Sequence, residues 1–205
     1  CMSSLILDIL NETKLERIRL SSIDCVEIDK HFDQVIQNPR VMPHLHLSIQ
    51  SGDNMILKRM KRRHCVDDIK NFINHCRNIR NEITFGADII AGFPTETEEM
   101  FDNTYQFLKD FKISHLHIFP FSPKKDTPAA RMPQLKKDII KKRAKKLRHL
   151  GDELLDQVKN ELFLPRRVLI EEIDTGEVLG YDQNYIKHRI PMIGMPIGEI
   201  TIVFT

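Results

Sequence analysis

The chain has 205 residues, of which 41% are hydrophobic and 29% charged, with 31 Lys and Arg against 29 Asp and Glu. That size allows one or two domains with a sizeable core, and the composition excludes a disordered or collagen-like chain. No secretory leader pattern and no apolar run of membrane length is present in the sequence, so a cytoplasmic protein with reduced thiols and no membrane partner is expected.

Charge is spread unevenly. Residues 1–52 hold 5 Lys/Arg against 7 Asp/Glu, residues 53–164 hold 22 against 16, and residues 165–205 hold 4 against 6. A basic middle predicts a local anion surface. The first residues, CMSSLILDIL, place Ser4 to cap a short helix with Leu5, Ile6, Ile9 and Leu10 on its apolar face. Strands are predicted over residues 17–23, 44–50, 84–91 and 115–121, with helical patterns between them. Val66, Ile69, Phe72, Ile73, Cys76 and Ile79 form one such stripe, which puts Cys76 in the core. Met100, Phe107, Leu108 and Phe111 form another, and Thr95 with Glu98 reads as its capping box. Alternating strands and helices predict a parallel sheet, and the nearly continuous apolar run DIIAGFP suits a strand covered on both faces.

A long helix is predicted over residues 135–162, and its first half carries Lys136, Lys137, Lys141, Lys142, Arg143, Lys145, Lys146 and Arg148 against Asp138 alone. Cations in a first turn oppose the helix dipole, so the run is either a solvated face or a surface for an anionic partner. Pro165 ends the helix, and a boundary is expected near Phe163. The remainder is short, β-like and punctuated by Gly176, Gly180, Gly194 and Gly198, which predicts a small β-barrel or partial barrel.

In a βα barrel the functional groups gather at strand C-terminal ends. Those ends here hold Ser21 and Ser22; Ser48, Gln50, Ser51 and Gly52; Asp88, Gly92, Phe93, Pro94 and Thr95; and Phe119, Phe121 and Ser122. Small residues admit a ligand to the backbone, Ser and Gln offer neutral hydrogen bonds, and Phe offers a stacking face. Each end singly reads as an ordinary turn; together they predict a bound cofactor. No Ser-His-Asp, P-loop or HExxH pattern occurs. His44 and His46 share a strand face, but no third metal ligand is evident beside them, and no metal site is expected in this chain.

The blocks RIRLSSID, PHLHLSIQSGDNMILKRMKRR, ADIIAGFPTETEEMF, HLHIFPFSPKKDTPAARMP and GYDQNYIKH, in this order, resemble the C-terminal half of radical-SAM tRNA methylthiotransferases, nearest the MtaB-type branch. The resemblance runs from about residue 14 to the end. It implies an α/β fold comprising the last four βα units of a radical-SAM partial TIM barrel, followed by a TRAM-like β-barrel. Domains at 1–134 and 164–205 would be joined by a basic helix at 135–163. It implies a transferase that methylthiolates threonylcarbamoyladenosine beside the anticodon. S-adenosylmethionine (SAM) would be held by Ser48, Gln50, Ser51, Gly52, Asp88, Gly92, Phe93, Pro94, Phe121 and Ser122. The tRNA would meet Lys58, Arg59, Arg62, Arg63, Lys141, Lys142, Lys145, Lys146 and Tyr185. Family members also hold [4Fe–4S] clusters, whose CxxxCxxC loop does not occur here: Cys1, Cys25, Cys65 and Cys76 have neither that spacing nor CxxC spacing. The chain is therefore expected to be a fragment, inactive alone, or one half of a split enzyme with a separately encoded N-terminal partner. A non-catalytic RNA-binding remnant is the alternative, and so is methylthiolation of another adenosine or of a ribosomal-protein aspartate.

Overall fold

Residues 1–162, 165–174, 176–191 and 195–203 are described by a computed structural model. In chain order they form α1 (Met2–Glu12), β1 (Ile18–Ile23), α2 (Phe32–Gln37), β2 (Val41–Gln50), α3 (Asn54–Arg59), α4 (Val66–Ile79), β3 (Thr84–Ala91), α5 (Glu98–Asp110), β4 (Ile113–Pro120), α6 (Lys137–Glu161), β5 (Arg166–Asp174), β6 (Glu177–Tyr181), β7 (Lys187–Pro191) and β8 (Ile200–Val203). Strands β1 to β4 pair in parallel and in sequence order. Strands β5 to β8 form a separate antiparallel sheet in the order β7-β6-β5-β8. The boundary expected at Phe163 and the turn expected at Gly194 lie outside the described residues.

Period-two alternation divides the parallel sheet into two unlike faces. Leu45, Leu47 and Ile49 of β2 and Phe85, Ala87, Ile89 and Ala91 of β3 are fully buried on one face. They join one core with Ile69 and Ile73 of α4, Phe101 and Leu108 of α5, and Leu147, Leu150 and Leu154 of α6. The helices that connect the strands therefore all cover the same face. Removing this apolar area from water is worth roughly 25 cal/mol per Å² and is the main source of the fold's stability.

Several local expectations are corrected. Ser4 lies inside α1, whose N-cap is Cys1, and Leu5 faces solvent while Ile6 and Leu10 are buried. Thr97, not Thr95, caps α5: its hydroxyl accepts from the Met100 N–H at 3.2 Å. The helix starts later because the turn before it is held elsewhere. Thr95 has a φ of +67°, and the buried Glu96 carboxylate accepts from the Gly92 N–H and from Arg143. The basic run at Lys58 to Arg63 is only partly helical. Lys61 takes a φ of +58° and the Arg62 N–H reaches back to the Leu57 carbonyl at 3.0 Å, a Schellman closure that ends α3.

The antiparallel sheet is fastened to the N-terminal ends of the parallel strands. Asn184 Nδ2 donates to the carbonyls of Pro43 (3.1 Å) and Glu82 (2.8 Å), and Thr84 Oγ1 donates to the Asn184 carbonyl. Asp182 organises this contact. Its carboxylate accepts from Arg166, His188 and the N–H groups of Asn184 and Ile186. Burial pushes that carboxyl up, but the bonds from His188, the Ile186 N–H and Arg166 outweigh it and hold the group below the usual carboxylate range.

Candidate functional site

The face of the parallel sheet turned away from the helices is polar. Alternation places Arg19 and Ser21 of β1, His44, His46, Ser48 and Gln50 of β2, Thr84, Gly86 and Asp88 of β3, and His115 and His117 of β4 on it. An ordinary TIM-barrel interior is filled with layers of Val, Ile and Leu. Here the corresponding face, called the lumen below, carries polar side chains in its lower layers.

The lumen is layered. At its base, His44 and His115 meet edge-on with ring centroids 4.5 Å apart, and Tyr185 stacks on His44 at 5.4 Å. His44 Nδ1 bonds Thr84 Oγ1 at 2.9 Å, and His115 Nε2 bonds the Tyr185 carbonyl at 3.1 Å. Burial pushes His44 well below the ordinary histidine value and His115 down to about 4, so both rings are neutral at physiological pH. One layer up, Asp88 Oδ1 takes bonds from His46 Nε2 (3.0 Å) and His117 Nδ1 (3.2 Å). His44 and His46 therefore do not work as a pair: His44 turns to Thr84 and His115, while His46 meets Asp88 of β3 and His117 of β4. The signal was present: HLH occurs at residues 44–46 and again at 115–117. A cleft of about 310 Å³, lined by Arg19, Ser21, Ser22, His44, His46, Asp88, His117 and Tyr185, opens over these groups.

A second cleft, of about 480 Å³, lies at the strand C-terminal ends and is lined by Gln50, Asp88, Ile90, Phe119, Pro120, Phe121, Ser122, Lys124, Thr127 and Ala129. Its size falls within the ~300–1,000 Å³ of typical small-molecule sites. Gln50 has a φ of +71°, a strained conformation at the sheet's mouth.

The residues proposed from sequence for the cofactor divide between the two sides of the sheet. Ser48, Gln50, Asp88, Phe121 and Ser122 face the lumen or line the upper cleft. Ser51, Gly52, Gly92, Phe93 and Pro94 are buried. Ser51 Oγ bonds Thr104 Oγ1, and a Cβ on Gly52 would lie 2.9 Å from Phe107 Cβ. Gly52 is thus small so that β2 can approach α5. Gly92, with a φ of +75°, would drive a Cβ to 2.7 Å from Ile140 Cγ1, so it serves the turn and the seat of α6. At both glycines an added side chain would collide with a helix, α5 or α6.

The basic residues divide similarly. Arg59 donates to the Thr95 carbonyl, Arg62 to the Ser48 carbonyl and Asp24, and Arg63 to Glu27. Arg143 is buried in an ion pair with Glu96 at 2.7 Å, and Arg148 donates to the Ile118 carbonyl. Lys58, Lys141, Lys142, Lys145 and Lys146 are exposed, and Lys146 lies 3.4 Å from Asp102 and over the Tyr105 ring. Tyr185 is engaged within the chain: besides His44 it stacks on Tyr181 at 4.7 Å and lies beneath the Arg19 guanidinium.

A model of the Radical SAM superfamily matches residues 4–108, just over half of the chain. The chain belongs to the radical SAM superfamily. It is 46% identical over 198 residues to a threonylcarbamoyladenosine tRNA methylthiotransferase MtaB of Rickettsia prowazekii, covering 85% of this chain and 47% of that protein. The MtaB of Bacillus subtilis is 36% identical over 197 residues, covering 92% of this chain and 44% of its own length. This radical SAM chain thus spans less than half the length of the curated relatives it matches. Among solved structures, the radical SAM enzyme coproporphyrinogen III oxidase of Escherichia coli superposes with a TM-score of 0.55 at 20% identity, covering 73% of this chain and 37% of that one. That likeness supports the parallel α/β architecture.

The superfamily's two cofactors fare differently against these residues. The upper cleft combines the exposed Phe119 ring with Gln50 and Ser122 and accommodates a molecule with apolar and polar parts, as SAM is. The cysteines do not suit a cluster. Cys1 and Cys65 begin α1 and α4, Cys25 follows β1, and Cys76 is inside α4. Burial pushes the thiols of Cys25 up to about 11 and Cys76 up to about 12, against the thiolate that iron requires.

Proposed function

We propose that this chain forms the C-terminal part of the radical SAM core, with its appended β sheet, of an enzyme that methylthiolates threonylcarbamoyladenosine in tRNA. The observation that carries this reading is the identity to the MtaB relatives, which covers up to 92% of the chain and so takes in the appended sheet as well as the parallel one. The four parallel strands are read as the last four of a six-strand partial barrel, and the antiparallel sheet as the TRAM-like module.

SAM, when bound, supplies the methyl group and the radical source for which the superfamily is named. In this chain Gln50 and Ser122 offer it hydrogen bonds, Phe121 offers an apolar surface, and Asp88 closes the inner side of the cleft. Phe121 is itself steadied by an edge contact with the buried Phe93, ring centroids 5.3 Å apart. Phe93, Gly92 and Pro94 therefore support the site from behind. No step is assigned to an iron–sulfur cluster, whose ligands these cysteines do not provide.

For tRNA, the exposed Lys141, Lys142, Lys145 and Lys146 of α6 are the proposed phosphate contacts. Arg59, Arg62 and Arg63 hold the α3 turn. The test is a tRNA titration of the chain and of the K141E/K142E/K145E/K146E variant across a range of salt. Each lost phosphate contact should flatten the log K against log salt slope by about 0.9. Equal affinity and equal slope for the two proteins would overturn the RNA role of α6.

A further inference from the structure

We infer that His46, Asp88 and His117 form a binding site for a divalent transition-metal ion of the zinc or ferrous class. The site stands independently of the substrate's identity. Two imidazole nitrogens and one carboxylate oxygen, from three neighbouring strands, lie within 4.8 Å of one another. His46 Nε2 and His117 Nδ1 are 3.0 and 3.2 Å from the same oxygen, Asp88 Oδ1. Ligands at ~2.0–2.2 Å from a tetrahedral or octahedral metal are separated by about 3.0–3.5 Å, and the two histidine–aspartate separations already match that spacing. Two histidines and a carboxylate on one side, with the remaining positions open, is a set that Zn²⁺ and Fe²⁺ accept.

The backbone is built to bring these atoms together. β2 and β4 are not neighbours; β3 runs between them. His46 reaches across because its partner in register on β3 is Gly86. A Cβ there would lie 2.6 Å from His46 Nδ1, so the ring occupies the space that a side chain would fill. The His46 and His117 rings are then tilted together with centroids 4.5 Å apart. Among the described residues, Asp88 has no Lys or Arg ion pair, which leaves its charge to the two imidazoles or to a cation. The side-chain exposure of His46, Asp88 and His117 rises from 12% to 28% to 59%. The set is therefore walled on the β2 side and open toward the lumen, where water or an oxygen ligand would complete the coordination. The other cluster of ligating groups, Asp24, Cys25 and His64, is a poorer competitor, because Arg62 and Arg63 already pair with Asp24.

The experiment is a Co²⁺ titration of the chelator-treated chain, followed by Zn²⁺ displacement. One equivalent should give ligand-field bands without a sulfur-to-cobalt charge-transfer band. His46→Ala and His117→Ala should each weaken binding at least as much as loss of a supporting group at a metal site, about tenfold to a hundredfold. Gly86→Ala should do the same by displacing the His46 ring, although all three ligand residues are retained. His117 is exposed, so His117→Ala should melt like the parent and separates metal loss from unfolding. Absence of ligand-field bands in excess cobalt would overturn the site. So would stoichiometric binding that His117→Ala leaves unchanged, or binding abolished by Cys25→Ser.

Discussion

The two faces of the β1–β4 sheet are made by the same strands, yet one carries Leu45, Leu47, Phe85 and Ile89 and the other His44, His46, Asp88 and His117. The first is covered by α4, α5 and α6; the second bears the clefts, with Tyr185 and Asn184, between β6 and β7, packed at its base. Apolar burial is concentrated on one face and titratable side chains on the other. Gly52 and Gly92, which the sequence proposed for the cofactor, lie where an added side chain would strike α5 or α6.

The largest expected contrast comes from the apolar face. Phe85 is fully buried, in register with Leu45 and Ile113 and under the Arg77 guanidinium. Phe85→Ala should cost about 3–5 kcal/mol through lost burial and the cavity left behind. A denaturant midpoint close to the parent's would break the claim that this face holds the fold. A smaller effect is expected where the polar face is closed. Asn184→Ala leaves the Glu82 carbonyl without its side-chain donor and the Pro43 carbonyl with only the Thr84 hydroxyl, and should cost about 1–3 kcal/mol. Earlier proteolytic release of the appended sheet would show that this contact, and not only the chain connection, joins the two sheets.

The smallest effect is a pH dependence. His44 and His115 are neutral in the folded chain, whereas an unfolded histidine takes up a proton below about 6.5. The unfolded state therefore binds more protons, and stability should fall as pH drops from 6.5 toward the His115 value of about 4. The loss ends only once the folded rings protonate as well. Thermal melts across this window should show the decline, and His115→Gln should flatten it. A melting point indifferent to pH in both proteins would mean that the base of the lumen is not dehydrated.

Local order was legible wherever it was periodic. The third strand occupies the predicted residues 84–91, and the stripes of α4 and α6 fall close to their expected spans, because a repeat of 2 or 3.6 residues reports which side is covered. Helix ends were less legible, as α5 shows: Thr95 has the right spacing for a cap, but Glu96 is drawn into the pair with Arg143 of α6, a residue 47 positions away.

The sequence by itself determined the strand–helix alternation, the parallel sheet, and the likeness to one branch of the superfamily. Only the tertiary structure decided which side chains meet. Asp88 joins His46 and His117, 42 and 29 residues away, because parallel register sets β2, β3 and β4 side by side and Gly86 leaves the gap between them. Arg143 and Arg148 leave the basic run for partners on the helix-covered side, while Lys141, Lys142 and Lys145 remain in solvent. Spacing along a chain fixes the side of an element on which a residue stands; the neighbour it finds there depends on register and on helix seating, which residues distant in sequence jointly impose.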